Sequence, residues 1–402
     1  MTARLPLKVA CSLSGGVDSA VACHRLLCHG FRVVGVFMRN WEGDDDDSAS
    51  CTSFQDEKDA EFIAQHFNIP FHRVNFAKQY WTYVFRYLLN SYEDGLTPNP
   101  DVLCNQYIKF DVFRQYAQKI LECDAMATGH HARNSWGDFL ECRHSTATAQ
   151  LLRPVDKFKD QTLFLSRIQQ EALQSCMFPV GSLTKSEIRR IADDLGLTSI
   201  GRKRSSRGIC FIGKRNFAEF IDQFIEPKPG RFIDYETGNV IGEHQGIHHF
   251  TIGQRVRVSA PSREGYFVYQ KDPLTQDILA VSGVDHTALY ADEMTCSDPY
   301  WIDGTPPKPL TTHGFLDCHF RFQHTMPLLG CRISLSDSQK LLVTLENPRR
   351  ALTRGQFAAF YDGDVCLGSA VIDSVGPSYF NQKKRVQVLC RDHGKEKVIA
   401  VM

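Results

Sequence analysis

Ser14-Gly15-Gly16-Val17-Asp18-Ser19 gathers two glycines, two hydroxyls and a carboxylate into one short stretch. It follows an apolar run, Val9 to Leu13, and opens a segment of helical character from Ala20 to Leu27. Strand, glycine turn and helix start, in that order, aim several backbone N–H groups and the positive end of a helix dipole at one point, which suits a phosphate. The glycines let the main chain approach an anion, and Ser14 and Ser19 add hydroxyl donors. A plain serine-glycine turn would use the same residues without a ligand, but its place between a buried-type strand and a helix favours the phosphate. The chain has neither Gly-x-x-x-x-Gly-Lys-Ser/Thr nor Gly-x-Gly-x-x-Gly here, so the Walker and dinucleotide loops are excluded.

Two cysteines stand in chemically suggestive settings. Cys104 closes the proline-punctuated run Thr97-Pro98-Asn99-Pro100-Asp101 and precedes a helix expected over Asn105 to Glu122. A helix N-terminus lowers a thiol pKa, Lys109 would add to that, and Asp101 is spaced to exchange a proton. Cys210 sits between Gly208 and Gly213 after the basic stretch Gly201 to Gly208. Each is open to the alternative of a buried structural cysteine. The basic stretch itself reads as an exposed linker or as a grip on an RNA backbone.

The elements that would position these groups alternate. Strands are expected at Arg32 to Met38, Ile69 to Val74 and Asp124 to Gly129, and helices at Gln55 to Phe67, Tyr83 to Tyr92 and the Cys104 segment. In the first of these helices Phe62, Ile63 and Phe67 fall on one side. Such alternation implies a parallel sheet covered by helices, with ligands beyond the carboxyl ends of its strands, where Gly15, Met38 and Gly129 fall. Beyond residue 200 the pattern becomes short strands with turns, among them Arg231 to Asp234, Thr251 to Val258, Gly265 to Gln270, Ile278 to Val281, Leu341 to Leu345 and Gln356 to Tyr361. These suggest small β domains or barrels. The fold class is therefore α/β, a parallel-sheet domain followed by two small, mainly β domains, divided as 1–208, 209–285 and 286–402.

Composition sets the bounds. The chain has 402 residues, 43% hydrophobic and 23% charged, with zero formal net charge. Two or three globular domains are expected, and nucleic-acid binding must rest on local basic patches. No apolar stretch is long enough to cross a bilayer. Fourteen cysteines include no Cys-x-x-Cys pair, which argues against structural zinc, and no metal ligand set is expected. The acidic run Glu42 to Asp47 reads as a solvated loop before it reads as a magnesium site.

The glycine loop resembles the Ser-Gly-Gly-x-Asp-Ser signature of the PP-loop ATP pyrophosphatases. Thr97 to Asp101 with Cys104-Asn105 and Ile108-Lys109-Phe110 is similar to the nucleophile segment of the tRNA-specific 2-thiouridylases, and Gly208 to Gly213 to their persulfide segment. Phe37 to Trp41, Ala127 to His130, Lys159-Asp160-Gln161, Thr251 to Arg255 and Gln356 to Gly368 match as well, so the likeness covers nearly the whole chain. Cys318 to Phe322 and Lys214 to Phe217 resemble the mitochondrial branch more than the bacterial one. The resemblance implies an ATP-dependent tRNA-uridine 2-sulfurtransferase of mitochondria, with bacterial cytoplasm as the alternative.

By that resemblance, ATP and its Mg2+ are held by Ser12, Leu13, Ser14, Gly15, Gly16, Val17, Asp18, Ser19, Met38 and Gly129, and the C2 oxygen of the wobble uridine is adenylated. Cys210 carries a persulfide from a donor protein, Cys104 is the nucleophile that forms a transient disulfide with it or releases sulfide, and Asp101 is the acid or base. Asn99, Pro100 and Asp101 border the flipped-out base. His130, Lys159, Asp160, Gln161, Arg321, Phe322 and Gln356 contact the anticodon arm of a tRNA bound by a monomer. The chain departs from the family pattern at Ser205, where an acid is usual, at His131, where tyrosine is common, and at Val256 to Pro261, where a glycine-rich run is usual. An amide-forming PP-loop synthetase and a non-catalytic tRNA binder are the competing readings. The first needs neither cysteine, and the second would show no ATP turnover.

Overall fold

The structure is a computed structural model and describes residues 7–42, 52–143, 148–203, 216–258, 263–336, 339–383, 386–392 and 395–401. Its first layer is a parallel sheet of β1 (Lys8–Ser12), β2 (Arg32–Arg39), β3 (Phe71–Asn75), β4 (Ala125–Ala127) and, after the short pair β5 (Arg133–Asn134) and β6 (Leu151–Leu152), β7 (Cys176–Met177). The order is β3-β2-β1-β4-β7. Val9, Ala10 and Cys11 are wholly buried, as in an inner parallel strand covered on both faces. The chain runs outward from β1 to β3 and then returns to β4 on the other side. That reversal opens a crevice between the carboxyl ends of β1 and β4.

Two helices differ from the sequence expectation. The helix carrying Cys104 begins at Pro100, because Asn99 caps it by accepting from the Asp101 N–H at 3.2 Å and Pro100 fits the first helical position. Its segment Cys104–Val112 is wound in wider i→i+5 turns, as is Trp81–Phe85 in the preceding helix. The two wide segments face each other, and Tyr83 stacks on Tyr107 with centroids 5.6 Å apart. In the helix Thr52–His66, Ile63 is buried but Phe62 is 46% exposed, so the inner stripe is narrower than expected.

A second sheet, in the order β10-β11-β12-β8-β9, contains β8 (Gly230–Asp234), β9 (Val240–His244), β10 (Arg255–Val256), β11 (Tyr266–Lys271) and β12 (Ile278–Ser282). Only Arg255–Val256 of the expected Thr251 to Val258 strand pairs. The third sheet is a closed antiparallel barrel of β13 (Tyr290–Trp301), β14 (Phe315–Arg321), β15 (Leu329–Leu335), β16 (Leu341–Arg350), β17 (Phe357–Asp362) and β18 (Val365–Val375), with β13 pairing to both β16 and β18. Leu341, Val343 and Leu345 alternate with exposed Leu342 and Thr344, the period-two pattern of a half-buried strand. The strands Val386–Asp392 and Lys395–Val401 pair with each other.

The barrel is joined to the first layer by backbone. β18 also pairs with β6, Val365 opposite Leu152 and Cys366 opposite Leu151. Phe357, Ala359, Tyr361 and Cys366 pack into the same apolar core as the parallel sheet. No helix among the described residues is long and apolar enough to cross a membrane.

Candidate active site

The glycine loop lies in the crevice between β1 and β4. Gly15 has φ of +71°, and a Cβ there would lie 2.3 Å from the Asp56 carbonyl oxygen, so both backbone conformation and space require glycine. Gly129, just past β4, approaches closely too: a Cβ on it would lie 2.6 Å from the Ser19 nitrogen. Gly16 is the N-cap of the helix Val17–Cys28. Ser19 Oγ donates to the Gly16 carbonyl at 2.8 Å and accepts from the Ser14 N–H at 3.2 Å. These bonds fold the loop back over the first turn of the helix. Leu13 and Val17 are buried, so their share in any phosphate site is through the main chain. Ser12 ends β1, and Met38, on neighbouring β2, is half-buried against the core.

Asp18 is engaged from two directions. Lys185 Nζ lies 2.6 Å from both of its carboxylate oxygens, and His131 Nε2 lies 3.1 Å from Oδ1. Burial would raise this carboxyl, but the hydrogen bond from His131 and the charge of Lys185 outweigh it and hold it below the usual range. Lys185 opens the helix Lys185–Asp194, whose capping box pairs Thr184 with Glu187. Lys203 reaches Asp56 at 2.5 Å and Asp59 at 2.6 Å, with the Gly15 carbonyl at 3.5 Å. It is thus part of the loop's surroundings and not an open linker cation. In sequence Lys203 reads only as part of the basic stretch, and Lys185 does not stand out. Thr-Lys-Ser-Glu at 184–187 is a visible helix start, but only the fold carries it to Asp18.

The nucleophile segment faces the same end of the sheet. Phe110, on the Cys104 helix, contacts His130 with ring centroids 5.7 Å apart. His130 follows Gly129, and its Nδ1 is 2.9 Å from Thr128 Oγ1. Burial holds the His130 imidazole well below its ordinary pKa, and the charges of Lys109 and His131 push the same way. Burial also raises the Asp101 carboxyl, only partly offset by Lys109. Cys104 is 3% exposed and lies past the first turn of its helix, so the dipole acts on it less than the sequence spacing suggested. Asn105, also buried, donates to the Asp101 carbonyl at 3.0 Å. Cys210, Ser205 and the Gly208 to Gly213 segment lie outside the described residues, as do Gly43 to Asp47 of the acidic run.

The expected tRNA contacts divide. Asp160, Arg321 and Phe322 are at most 1% exposed, so their side chains lie inside the protein in this structure. Arg321 Nη2 pairs with Asp160 Oδ1 at 2.8 Å, and Arg153 Nε donates to Asp160 Oδ2 at 2.7 Å. Phe322 belongs to the barrel core. Gln161 exchanges backbone and side-chain bonds with His131: its Oε1 accepts from the His131 N–H at 2.8 Å, and its own N–H donates to the His131 carbonyl at 3.1 Å. Gln356 Nε2 donates to the Thr97 carbonyl at 2.8 Å. His130, Lys159, Gln161 and Gln356 are all half-buried, and beside Lys159 the ring of Phe158 is 80% exposed.

Among the described residues, one group has a metal-ligand composition: Asp222, His248 and His249. Asp222 Oδ1 lies 2.9 Å from His248 Nε2 and 2.7 Å from His249 Nε2, hydrogen-bond distances that tie the helix Phe217–Ile221 to the second sheet. Near the glycine loop, Asp18 and Asp56 are both already paired with lysine.

Three family models match the chain in succession. The tRNA methyl transferase HUP domain covers residues 7–214, the tRNA methyl transferase PRC-barrel domain 218–282, and the aminomethyltransferase beta-barrel domain 291–372. Mitochondrial tRNA-specific 2-thiouridylase 1 of Drosophila melanogaster is 47% identical over 369 residues, 92% of this chain and 94% of that one. The protein of the same name from Homo sapiens is 43% identical over 391 residues, 94% and 92% of the two chains. A bacterial relative, tRNA-specific 2-thiouridylase MnmA of Vibrio vulnificus, is 38% identical over 373 residues, 91% and 96% of the two chains.

Proposed function

This chain belongs to the tRNA-specific 2-thiouridylase family, and from that membership we propose how its own residues divide the work. It is an ATP-dependent tRNA-uridine 2-sulfurtransferase of mitochondria. One observation carries the assignment of residues. The Cys104 helix and the glycine loop meet at one strand end, through Phe110 on His130 and through His131 on Asp18.

In our reading, the backbone of Ser12 to Ser19, with Met38 and Gly129, holds ATP, and Lys185 and Lys203 supply positive charge beside the phosphates. The uridine O2 bonds to the α-phosphorus and pyrophosphate leaves, converting a poor leaving oxygen into AMP. Mg2+ bound with the nucleotide would screen its phosphates. With Asp18 and Asp56 already paired to lysine, the protein's share in holding that ion is small.

Sulfur arrives as a persulfide on Cys210, loaded by a persulfide-bearing donor protein. Its terminal sulfur bonds to C2 and AMP leaves. Cys104 thiolate then attacks Cys210 Sγ, leaving the sulfur on C2 as thiocarbonyl and a Cys104–Cys210 disulfide, which a thiol reductant reopens. Alternatively Cys104 attacks the persulfide first, and the released sulfide displaces AMP. Asp101, kept protonated to a higher pH than usual, serves as the acid and regains its proton from solvent. Asn99, Pro100 and Asp101 border the extruded base, and Lys159 and His130 face the anticodon arm of the tRNA, bound by a single chain.

The test is thiolation of a transcribed tRNA with a persulfide donor, with and without ATP, read on a mercury-containing gel. Wild-type protein forms thiolated tRNA only with ATP. Cys104→Ala and Cys210→Ala each abolish it and leave tRNA binding intact. Full thiolation by either variant would overturn the assignment.

A further inference from the structure

The antiparallel barrel touches both halves of the site from inside the protein. At the nucleophile segment, Gln356 Nε2 donates to the Thr97 carbonyl at 2.8 Å, and the Thr97 N–H donates to the Arg354 carbonyl at 3.0 Å. Between them Gly355 has φ of +88°, and a Cβ on it would lie 3.0 Å from Leu96 Cβ and 3.1 Å from the Thr97 nitrogen. Two residues after Thr97 stands Asn99, the cap of the Cys104 helix. A second tie reaches that helix from its side. Arg167 donates to Gln106 Oε1 at 3.1 Å and pairs with Asp298 of β13 at 2.7 Å.

At the glycine loop, the connection passes through the buried ion pair. Arg321 of β14 holds Asp160 and also donates to Tyr361 Oη of β17 at 3.1 Å. Asp160 Oδ1 accepts from the Thr162 N–H at 3.0 Å, which fixes the turn containing Gln161. Gln161 holds His131, and His131 holds Asp18. Arg321 and Ala359 are paired across β14 and β17, and Gln356 immediately precedes β17. Both connections therefore start from one pair of strands.

We infer that β14 and β17 fix the separation between the adenylating loop and the Cys104 segment, with Gln356 as the positioning residue for Cys104, acting through Thr97. The inference rests on the proposed function of Cys104. Productive sulfur transfer needs reacting atoms held in near-attack geometry, and a small displacement of a nucleophile is costly in rate. A rigid strand pair supplies that more accurately than the prolines of the loop alone.

The experiment compares wild-type protein with Gln356→Ala and Gln356→Glu. It reads tRNA affinity, pyrophosphate release, single-turnover thiolation at saturating tRNA, and the rate of Cys104 alkylation by iodoacetamide, with a thermal melt as a check of folding. Gln356→Ala loses the amide donors to Thr97. The expected result at saturating tRNA is unchanged pyrophosphate release, about tenfold slower thiolation, and an altered alkylation rate. Gln356→Glu, which sets a carboxylate against the Thr97 and Pro98 carbonyls, slows thiolation further. Weakened tRNA affinity with thiolation fully restored at saturating tRNA would overturn the inference, as would unchanged thiolation and alkylation. Failure of wild-type protein to thiolate at all would instead strike the proposed function, and the alkylation comparison would still report on the loop.

Discussion

Lys185 Nζ sits 2.6 Å from both carboxylate oxygens of Asp18, although the two residues are 167 positions apart in sequence. The pair sets a lysine beside a loop that lacks the lysine of the Walker type. Replacing Lys185 by Met keeps the stem and removes the charge. On the proposed reading, in which this charge lies beside the phosphates of ATP, pyrophosphate release at saturating tRNA should fall about a hundredfold. The measurement is the rate of tRNA-dependent pyrophosphate release, and a rate within twofold of wild type would remove Lys185 from the adenylation step.

Gly129 gives a steric prediction. The Cβ of Gly129→Ala would fall 2.6 Å from the Ser19 backbone nitrogen, where no flexible side chain can yield. The loop or β4 must shift. Adenylation should be lost with a lower melting temperature, by an overpacking cost of about 1–3 kcal/mol. Calorimetry and pyrophosphate release together check it.

Asp101 and Asp160 predict opposite responses to pH. Burial raises the Asp101 carboxyl, so its proton is bound more tightly in the fold than in the unfolded chain. That contribution is full at low pH and is lost as pH rises through the folded value. Asp101→Asn should therefore melt higher than wild type near neutral pH while abolishing thiolation. Asp160 is the reverse. Burial would raise it, but Arg321, Arg153 and Thr162 hold it below the ordinary range. Its stabilisation is present above the unfolded pKa and is lost as pH falls through the folded one. Asp160→Asn should cost about 3–5 kcal/mol near neutral pH, from the unpaired Arg321, and the gap should narrow in acid. Thermal melts across pH test both signs.

Phe158 bears on RNA. Its ring is 80% exposed on the turn that holds Lys157 and Lys159, at the edge of the Gln161–His131 contact. Stacking of one base on an exposed aromatic contributes about 1–3 kcal/mol. Phe158→Ala should weaken tRNA binding about tenfold, and Phe158→Tyr should restore it, both with wild-type melting. Filter binding at fixed salt is the measurement.

Local chemistry was legible in the sequence, and long-range pairing was not. Ser14 to Ser19 announces its strand-turn-helix because every group that shapes it lies within a few residues. The alternation of β1, the helix Val17–Cys28 and β2 was equally open to reading. The start of the Cys104 helix was placed late, at Asn105, because Pro98 and Pro100 read as a loop, whereas a capped proline at the first position begins a helix. The ion pair of Arg321 with Asp160 was not legible, because an arginine and an aspartate far apart in sequence do not reveal that they neutralise each other in the interior. Lys185 was passed over for the same reason, since nothing near it in sequence mentions Asp18.

The pairing of Leu151–Leu152 with Val365–Cys366 has a consequence for biosynthesis. The partner of this edge is made long after the edge itself. Until then a nascent chain displays an unsatisfied strand beside an unfinished core, a template for association with other chains. A chain interrupted before β18 therefore leaves β6 without that partner strand.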